Sequence, residues 1–345
     1  MTVKAGIVGY GLAGRVFHAP LLPAAGIDLY AVASSRPDAV NADHPEAIVY
    51  ATPEELFADP EVDLVILASP TPTHTPLAIK ALEAGKHVIV DKPFAATVAD
   101  ADAMIAAAEK AGRILTCFQN RRWDSDFLTV RKLMDEGALG EVHSFQSHFE
   151  FFKGETVDRW QEKAAPGVGV QFDLGAHQVD QALVLFGRPK WVEGEAVIQR
   201  PQGEVADTFF LRMGYDGPLR VQIYCSYVSP DFRTKYVVQG DQGAYRKYHM
   251  DIQEPQLREG MTPLDAGFGV EPKERHGVLT RVRNGKVFNE ICPTERGTQQ
   301  EIYVQLRKAI EDGGDPPVLP SEARMTIEVI EAGVRSGETG QRVIL

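Results

Sequence analysis

Apolar and polar positions along the chain follow two rhythms. The run from Val3 to Val8 ends in Gly9-Tyr10-Gly11-Leu12-Ala13-Gly14, and the next strand-sized apolar burst is Leu29 to Ala33. Further unbroken apolar runs stand at Leu64 to Ala68, His87 to Val90 and Ile114 to Phe118. Helices are predicted at Pro76 to Ala84 and, alanine-rich and stopped by Gly112, at Thr97 to Ala111. Strands with no polar side alternate with helices when a parallel sheet is covered on both faces. The fold predicted for residues 1–120 is therefore a doubly wound α/β domain.

Beyond Asn120 the period changes. Helices are predicted at Ser125 to Glu136 and Asp173 to Phe186, and long segments elsewhere alternate every second residue, as antiparallel strands with one covered face do. In Leu219 to Val228, for instance, Val221, Ile223, Cys225 and Tyr227 share one face and Gln222, Tyr224 and Ser226 the other. Similar strands are readable at Glu141 to Phe152, Trp191 to Gln199, Thr208 to Tyr215, Thr234 to Gln239 and Gly243 to His249. Glu254 to Gly277, rich in Gly and Pro, reads as an irregular surface loop. Gln299 to Glu311 and Ser321 to Ser336 read as closing helices, the second capped by Ser321. Residues 121–345 thus form an α+β domain around an open, mostly antiparallel sheet, and the closing helices pack either there or back on the first domain. One face of that sheet has no obvious helix to cover it and carries Tyr224, Phe210 and Tyr236, so a homodimer or homotetramer joined through the sheet is expected.

Composition narrows the function classes. A chain of 345 residues can bury two cores, and 44% hydrophobic with 24% charged residues excludes disorder. Lys and Arg number 36 against 48 Asp and Glu, a formal charge of -12 that disfavours nucleic acid as a partner. Cys117, Cys225 and Cys292 form no Cys-x-x-Cys pair, which argues against a zinc ribbon or disulfide framework and fits a reducing cytoplasm. His143 and His148, an odd number of residues apart on a strand, point to opposite faces, and no metal site is expected. No apolar run reaches the ~18 residues of a membrane span, and no export signal is readable, so neither a membrane nor secretion is expected.

The glycine pattern carries the first chemistry. It follows a strand and opens a helix, as a dinucleotide-binding turn must: Gly9 permits the tight turn, Gly11 lets the backbone approach a diphosphate, and Gly14 lets helix and sheet pack closely, with Leu12 and Ala13 completing the cofactor-binding turn. The following strand ends Val32-Ala33-Ser34-Ser35-Arg36, without the carboxylate that would hold the two ribose hydroxyls of NAD. Two hydroxyls and a guanidinium suit a 2'-phosphate, so Ser34, Ser35 and Arg36 point to NADP, with NAD as the alternative cofactor.

Acid and base groups stand at two places. Asp91-Lys92-Pro93 lies at the carboxyl end of the strand His87 to Val90, where open parallel sheets bind their ligands. Asp173-Leu174-Gly175-Ala176-His177 opens a helix that puts Asp173 and His177 on one face, with Asp180 near the same stripe. Lysine, carboxylate and imidazole together can take a proton from an alcohol at neutral pH.

Over essentially its whole length the sequence resembles the Gfo/Idh/MocA oxidoreductase family. The likeness rests on Gly9 to Gly14, Thr71-Pro72-Thr73-His74, Asp91-Lys92-Pro93 in place of the usual Glu-Lys-Pro, and the Asp173 to His177 helix start. A narrower likeness, to NADP-dependent scyllo-inositol dehydrogenases and their relatives, rests on Phe17-His18-Ala19-Pro20-Leu21, Ser34-Ser35-Arg36, Gln119 to Leu128 and Asp158-Arg159-Trp160. The resemblance implies an N-terminal Rossmann domain, a C-terminal sheet that often forms the oligomer interface, and hydride transfer between a polyol or sugar carbon and nicotinamide. Lys92, Asp173 and His177 are then catalytic, with either Lys92 or His177 as the proton acceptor. Ser69, Pro70, Thr71, His74, Asp91, Lys92 and Asn120 join the cofactor site, and Arg122 and Trp160 join Lys92, Asp173 and His177 around the substrate. Asp91 is one methylene shorter than the family's Glu, which leaves its contact open. An aldose or dihydrodiol dehydrogenase, a keto-sugar reductase, or a non-enzymatic sugar-responsive regulator of the same fold are the rival readings.

Overall fold

Every residue of Leu64–Leu67 is buried, as are all but the first of Lys4–Val8 and of His87–Val90. Backbones flanked by apolar side chains above and below need helices on both faces. In the computed structural model, which describes residues 2–231 and 234–345, these segments are β1 (Lys4–Val8), β4 (Leu64–Leu67) and β5 (His87–Val90). They are joined by β2 (Asp28–Ala33), β3 (Ile48–Tyr50) and β6 (Leu115–Cys117). The sheet is parallel throughout, in the order β3-β2-β1-β4-β5-β6. Strand order reverses between β1 and β4, and the carboxyl ends there open the crevice in which this architecture binds ligands. The pattern analysis misses β3, because three residues are too few for a period to register.

Local sequence sets the helices. Thr97 caps Val98–Ala111 by accepting the Asp100 N–H, and Gly112 ends it at φ 60. The helix after the glycine turn is less regular: Ala13–His18 is wound wide, Ala19–Leu21 tight and Leu22–Ala25 normally. Pro20 and Pro23 have no N–H to give, so the i to i−4 ladder cannot run through them.

The second sheet holds β7 (Val142–Glu150), β8 (Trp191–Val197), β9 (Thr208–Gly214), β10 (Arg220–Ser226), β11 (Tyr236–Gly240), β12 (Gly243–Lys247), β13 (Gly277–Arg283), β14 (Lys286–Cys292) and β15 (Val343–Ile344). Its order is β14-β13-β12-β11-β7-β10-β9-β8-β15, antiparallel except where β7 lies parallel to β10. Val221, Ile223 and Cys225 of β10 are buried as their alternation requires, and the helix Gly175–Phe186 covers them: Gln178 Nε2 donates to the Ser147 carbonyl at 2.8 Å. Phe210 is 45% exposed on the opposite face, but Tyr236 is fully buried, contrary to expectation. Its place in β11 turns it toward the helix, where its hydroxyl donates to Gln181 Oε1 at 2.7 Å.

By density of contacts the chain divides into two units. The first runs to Asn120 and includes 253–268 and 298–324; the second takes 121–252, 269–297 and 325–345. The stretch expected to be a surface loop therefore contributes to the first core, through the helix Gln253–Arg258 with its buried Gln253 and Leu257. The last helix, Pro320–Thr339, begins one residue before Ser321, and it is Glu322 whose carboxylate accepts the Leu319 N–H. Within the second unit it lies close on β8: a Cβ on Gly194 would stand 3.1 Å from the Gly333 Cα. Among the described residues no helix is long and apolar enough to cross a membrane.

In the second unit Lys247 Nζ meets Glu271 at 2.6 Å with both side chains fully buried. Lys247→Met leaves a buried carboxylate without that partner and is expected to cost about 3–5 kcal/mol, most of it recovered in Lys247→Met/Glu271→Leu. Urea unfolding of the three proteins measures this.

Candidate active site

The turn after β1 is built by exclusion. Gly9 has φ 96, and a Cβ there would stand 2.8 Å from the Ala68 carbonyl oxygen. Gly14 sits against the Gly9 carbonyl oxygen with no room for a side chain, whereas around Gly11 nothing among the described residues lies within 4 Å. Two glycines close the turn and the middle one borders open space, a cradle that a Cβ would fill and a diphosphate fits. Leu12 is 52% exposed beside it, and Ala13 starts the wide helix.

After β2, Ser34 Oγ accepts the Arg36 N–H at 3.0 Å and turns the chain into the helix Pro37–Asp43, with Ser35 and Arg36 exposed. Arg15 grips Asp43 with two hydrogen bonds, of 2.6 and 2.9 Å, and the Tyr10 hydroxyl donates to the same carboxylate at 3.0 Å. The glycine turn and the Arg36 loop are thereby tied together, and that carboxylate is occupied.

His74 performs the same service further along the sheet. Its ring is buried, with Nδ1 3.0 Å from the Pro93 carbonyl oxygen and Nε2 2.9 Å from that of Ser69. Burial pushes its pKa below the usual value. The loops after β4 and β5 are thus pinned to each other, so Ser69, Pro70, Thr71 and Asp91-Lys92-Pro93 form one rim; Thr71 is buried in it and the Lys92–Pro93 peptide is cis.

The contact of the shorter carboxylate is also defined. Asp91 Oδ1 accepts the Lys92 backbone N–H at 2.8 Å, and Oδ2 lies 3.8 Å from Nε2 of the buried His18, whose Nδ1 is 2.6 Å from the Tyr303 hydroxyl. Burial opposes ionisation of Asp91, but His18, then Lys92 and His74, outweigh it and hold the carboxyl below its ordinary range. Asp91 therefore orients the main chain of the lysine that follows it.

In the second unit the turn Val170–Asp173 and the helix Gly175–Phe186 meet at Leu174. Asp173 ends the first and His177 lies in the opening turn of the second, so the pair spans a junction and not one continuous helix. The Tyr227 hydroxyl, from the end of β10, donates to Asp173 Oδ2. Burial and the Asp173 charge push the Tyr227 phenol far above its ordinary pKa, which keeps it a donor. The His177 ring faces Phe149 at 6.4 Å between centroids. Asp180 is clasped by Arg122, Nε to Oδ2 at 2.8 Å and a second bond of 2.7 Å, both residues buried. Trp160, 40% exposed, rides on a turn fixed by Glu162, which Arg159 and Arg200 hold at 3.0 and 2.8 Å. Asn120 opens the turn Asn120–Trp123.

Sequence reasoning missed Tyr227 and Tyr303 as supports. Tyr227 closes the inward-facing series of β10, a readable signal; Tyr303 meets His18 across 285 residues of chain, which no local pattern records.

Residues 3–119 match the model of the Gfo/Idh/MocA oxidoreductase family with its NAD-binding Rossmann fold, and residues 127–246 match a C-terminal domain of the same family. The chain is also 40% identical to the uncharacterised oxidoreductase YdgJ of Escherichia coli, over 97% of this chain and 96% of that protein. The chain belongs to the Gfo/Idh/MocA family of oxidoreductases. Within the family it is 36% identical to scyllo-inositol 2-dehydrogenase (NADP(+)) IolW of Bacillus subtilis, over 100% of this chain and 96% of that protein. Among solved structures the oxidoreductase yvaA of Bacillus subtilis superposes with a TM-score of 0.97 at 35% identity, covering 100% of this chain and 98% of that one. The Gfo/Idh/MocA Rossmann domain and the glycine cradle agree on a nicotinamide cofactor.

The glycines make a paired prediction. Gly14→Ala drives a Cβ into the Gly9 carbonyl and is expected to lower both thermal stability and cofactor affinity. Gly11→Ala meets no atom of the described residues within 4 Å, so its melting temperature should match wild type while affinity for the reduced nicotinamide cofactor falls at least ~10-fold. Differential scanning fluorimetry with fluorescence titration separates the two.

Proposed function

We propose that the chain is an NADP-dependent dehydrogenase moving a hydride between a secondary alcohol of an inositol-like polyol or sugar and nicotinamide. The observation that carries this reading is that each acid-base group has a dedicated support: Lys92 follows a carboxylate bonded to its own N–H, and Asp173, four residues before His177, takes the Tyr227 hydroxyl. A binding protein needs neither. A nicotinamide bound there would supply the acceptor for the hydride that leaves the alcohol carbon. Either His177 takes the hydroxyl proton as the carbonyl forms, as an imidazole of ordinary pKa about 6.5 can, while the Lys92 ammonium stabilises the alkoxide as it develops, or a neutral Lys92 takes the proton itself. Asp173 orients the pair, and Arg122 and Trp160 border the substrate. The name of IolW supports both substrate class and cofactor.

For cofactor choice the support is the exposed Arg36 beside Ser34 and Ser35, with no carboxylate at the end of β2 to repel a 2'-phosphate. We further place the protein in the cytoplasm, since its three cysteines are free and buried, and as a homodimer or homotetramer through the face of Phe210 and Tyr224, whose rings touch at 4.9 Å.

Lys92→Ala and His177→Ala are expected to bind NADP normally and to lose roughly 100- to 10,000-fold in turnover of scyllo-inositol; near-normal oxidation by both variants would remove them from the mechanism. Arg36→Ala is expected to lose about ten- to a hundredfold of the NADP over NAD preference in kcat/KM, and a wild type that prefers NAD would reverse the cofactor assignment. Light scattering at micromolar concentration should give twice or four times the monomer mass.

A further inference from the structure

Three lysines are buried among the described residues: Lys86, Lys235 and Lys247. Two of them are fully provided for. Lys86 Nζ donates to the carbonyls of Asp59 and Val62 at 2.6 and 2.8 Å, and Lys247 Nζ to Glu271 and the Arg275 carbonyl at 2.6 and 2.5 Å. Lys235, immediately before β11 and 3% exposed, is different. Among the described residues its Nζ has no hydrogen-bond acceptor and no carboxylate within 4 Å, and Asp126 and Asp124 act on it only from farther away. Its neighbours are the faces of Phe149 and Tyr236, at 4.7 and 4.9 Å from the ring centroids. Aromatic faces attract an ammonium but accept none of its three hydrogen bonds.

Phe149 connects this lysine to the chemistry, since the same ring faces His177 at 6.4 Å. Lys235 Nζ and the His177 ring are thus both neighbours of one aromatic ring. The Arg121 guanidinium also lies over Phe149, at 4.8 Å, but donates to Asp124 at 3.0 Å. Burial lowers the Lys235 pKa, and the charges of Asp126 and Asp124 act against that shift. We infer that Lys235 is a specificity-determining residue of the second unit, its ammonium donating to a hydroxyl oxygen of the polyol bound at His177. A neutral hydroxyl suits this place better than an anion, because the charges of Asp126 and Asp124 already act on it. The inference rests on the polyol reading above.

Lys235→Met keeps the chain length over Phe149 and Tyr236 and removes only the donors. With scyllo-inositol and NADP the variant is expected to raise KM about ten- to a hundredfold, the worth of a hydrogen bond to a charged group. Its kcat should stay within about threefold of wild type, its NADP dissociation constant should be unchanged and its melting temperature not lowered, since an unpartnered buried ammonium is gone. Lys235→Arg, retaining a cationic donor, should recover part of the loss. A folded Lys235→Met with wild-type KM overturns the assignment, as does a loss confined to kcat and stability. If Lys235→Met does not fold, a crystal structure of the wild type with scyllo-inositol and NADP decides: a polyol oxygen within about 3.2 Å of Nζ supports the contact and its absence overturns it. A wild type that turns over no polyol overturns the polyol reading and this inference together, whereas turnover with an unchanged KM in the variant overturns Lys235 alone.

Discussion

The burial of β1, β4 and β5 on both faces is the constraint from which the first unit follows. Strands that can tolerate no polar side chain along their length leave polar groups a place only where they stop. At those carboxyl ends the chain collects the glycine turn, Ser34 to Arg36, Ser69 to Thr71 and Asp91 to Pro93. Loops need holding if they are to act together, and three side chains do it: Arg15 through Asp43, His74 between two carbonyls, and Asp91 on the lysine's own amide. The first two join segments that the sheet has already brought side by side, and the third fixes one loop on itself.

The second unit solves a different problem. Its broad sheet buries one face beneath the helix Gly175–Phe186, and polar residues on that helix must find partners there. Gln178 answers the Ser147 carbonyl, Gln181 the Tyr236 hydroxyl, and Asp180 the Arg122 fork. A helix fixed this thoroughly along one side presents its opening turn, and His177 with it, in a single orientation. This is the preorganisation that the proposed proton transfer would require.

Period and turn chemistry made much of this legible. Unbroken apolar runs announced the parallel sheet, alternation announced the second, and the glycine spacing announced the turn, because each depends on neighbours within a few residues. What escaped depends on long-range partners. Nothing in Ile48-Val49-Tyr50 distinguishes a strand from a loop until β2 is beside it. Alternation puts Tyr236 on the open face because it gives a period without saying which side is covered, and the contact with Gln181 settles that it is the helix side. The Gly and Pro content of residues 254–277 predicts a loop, yet Leu257 and Phe268 within them are core residues. Arg122 could be singled out by type and position, but its fork on Asp180 pairs residues 58 apart.

The discontinuity of the first unit bears on how the protein is made. Its sheet is complete by Cys117, but His18 rests on Tyr303, Thr116 donates to the Val318 carbonyl at 2.8 Å, and Arg258 lies over the Phe17 ring at 5.2 Å. A ribosome extends the chain at about 5–20 residues per second and releases it from the N-terminus. The glycine turn thus emerges early and waits, its supporting helix still unbuilt, while the whole of β7 to β14 is synthesised. Translation order and domain order disagree, and a nascent chain halted before residue 303 carries the lysine without the phenol behind its histidine.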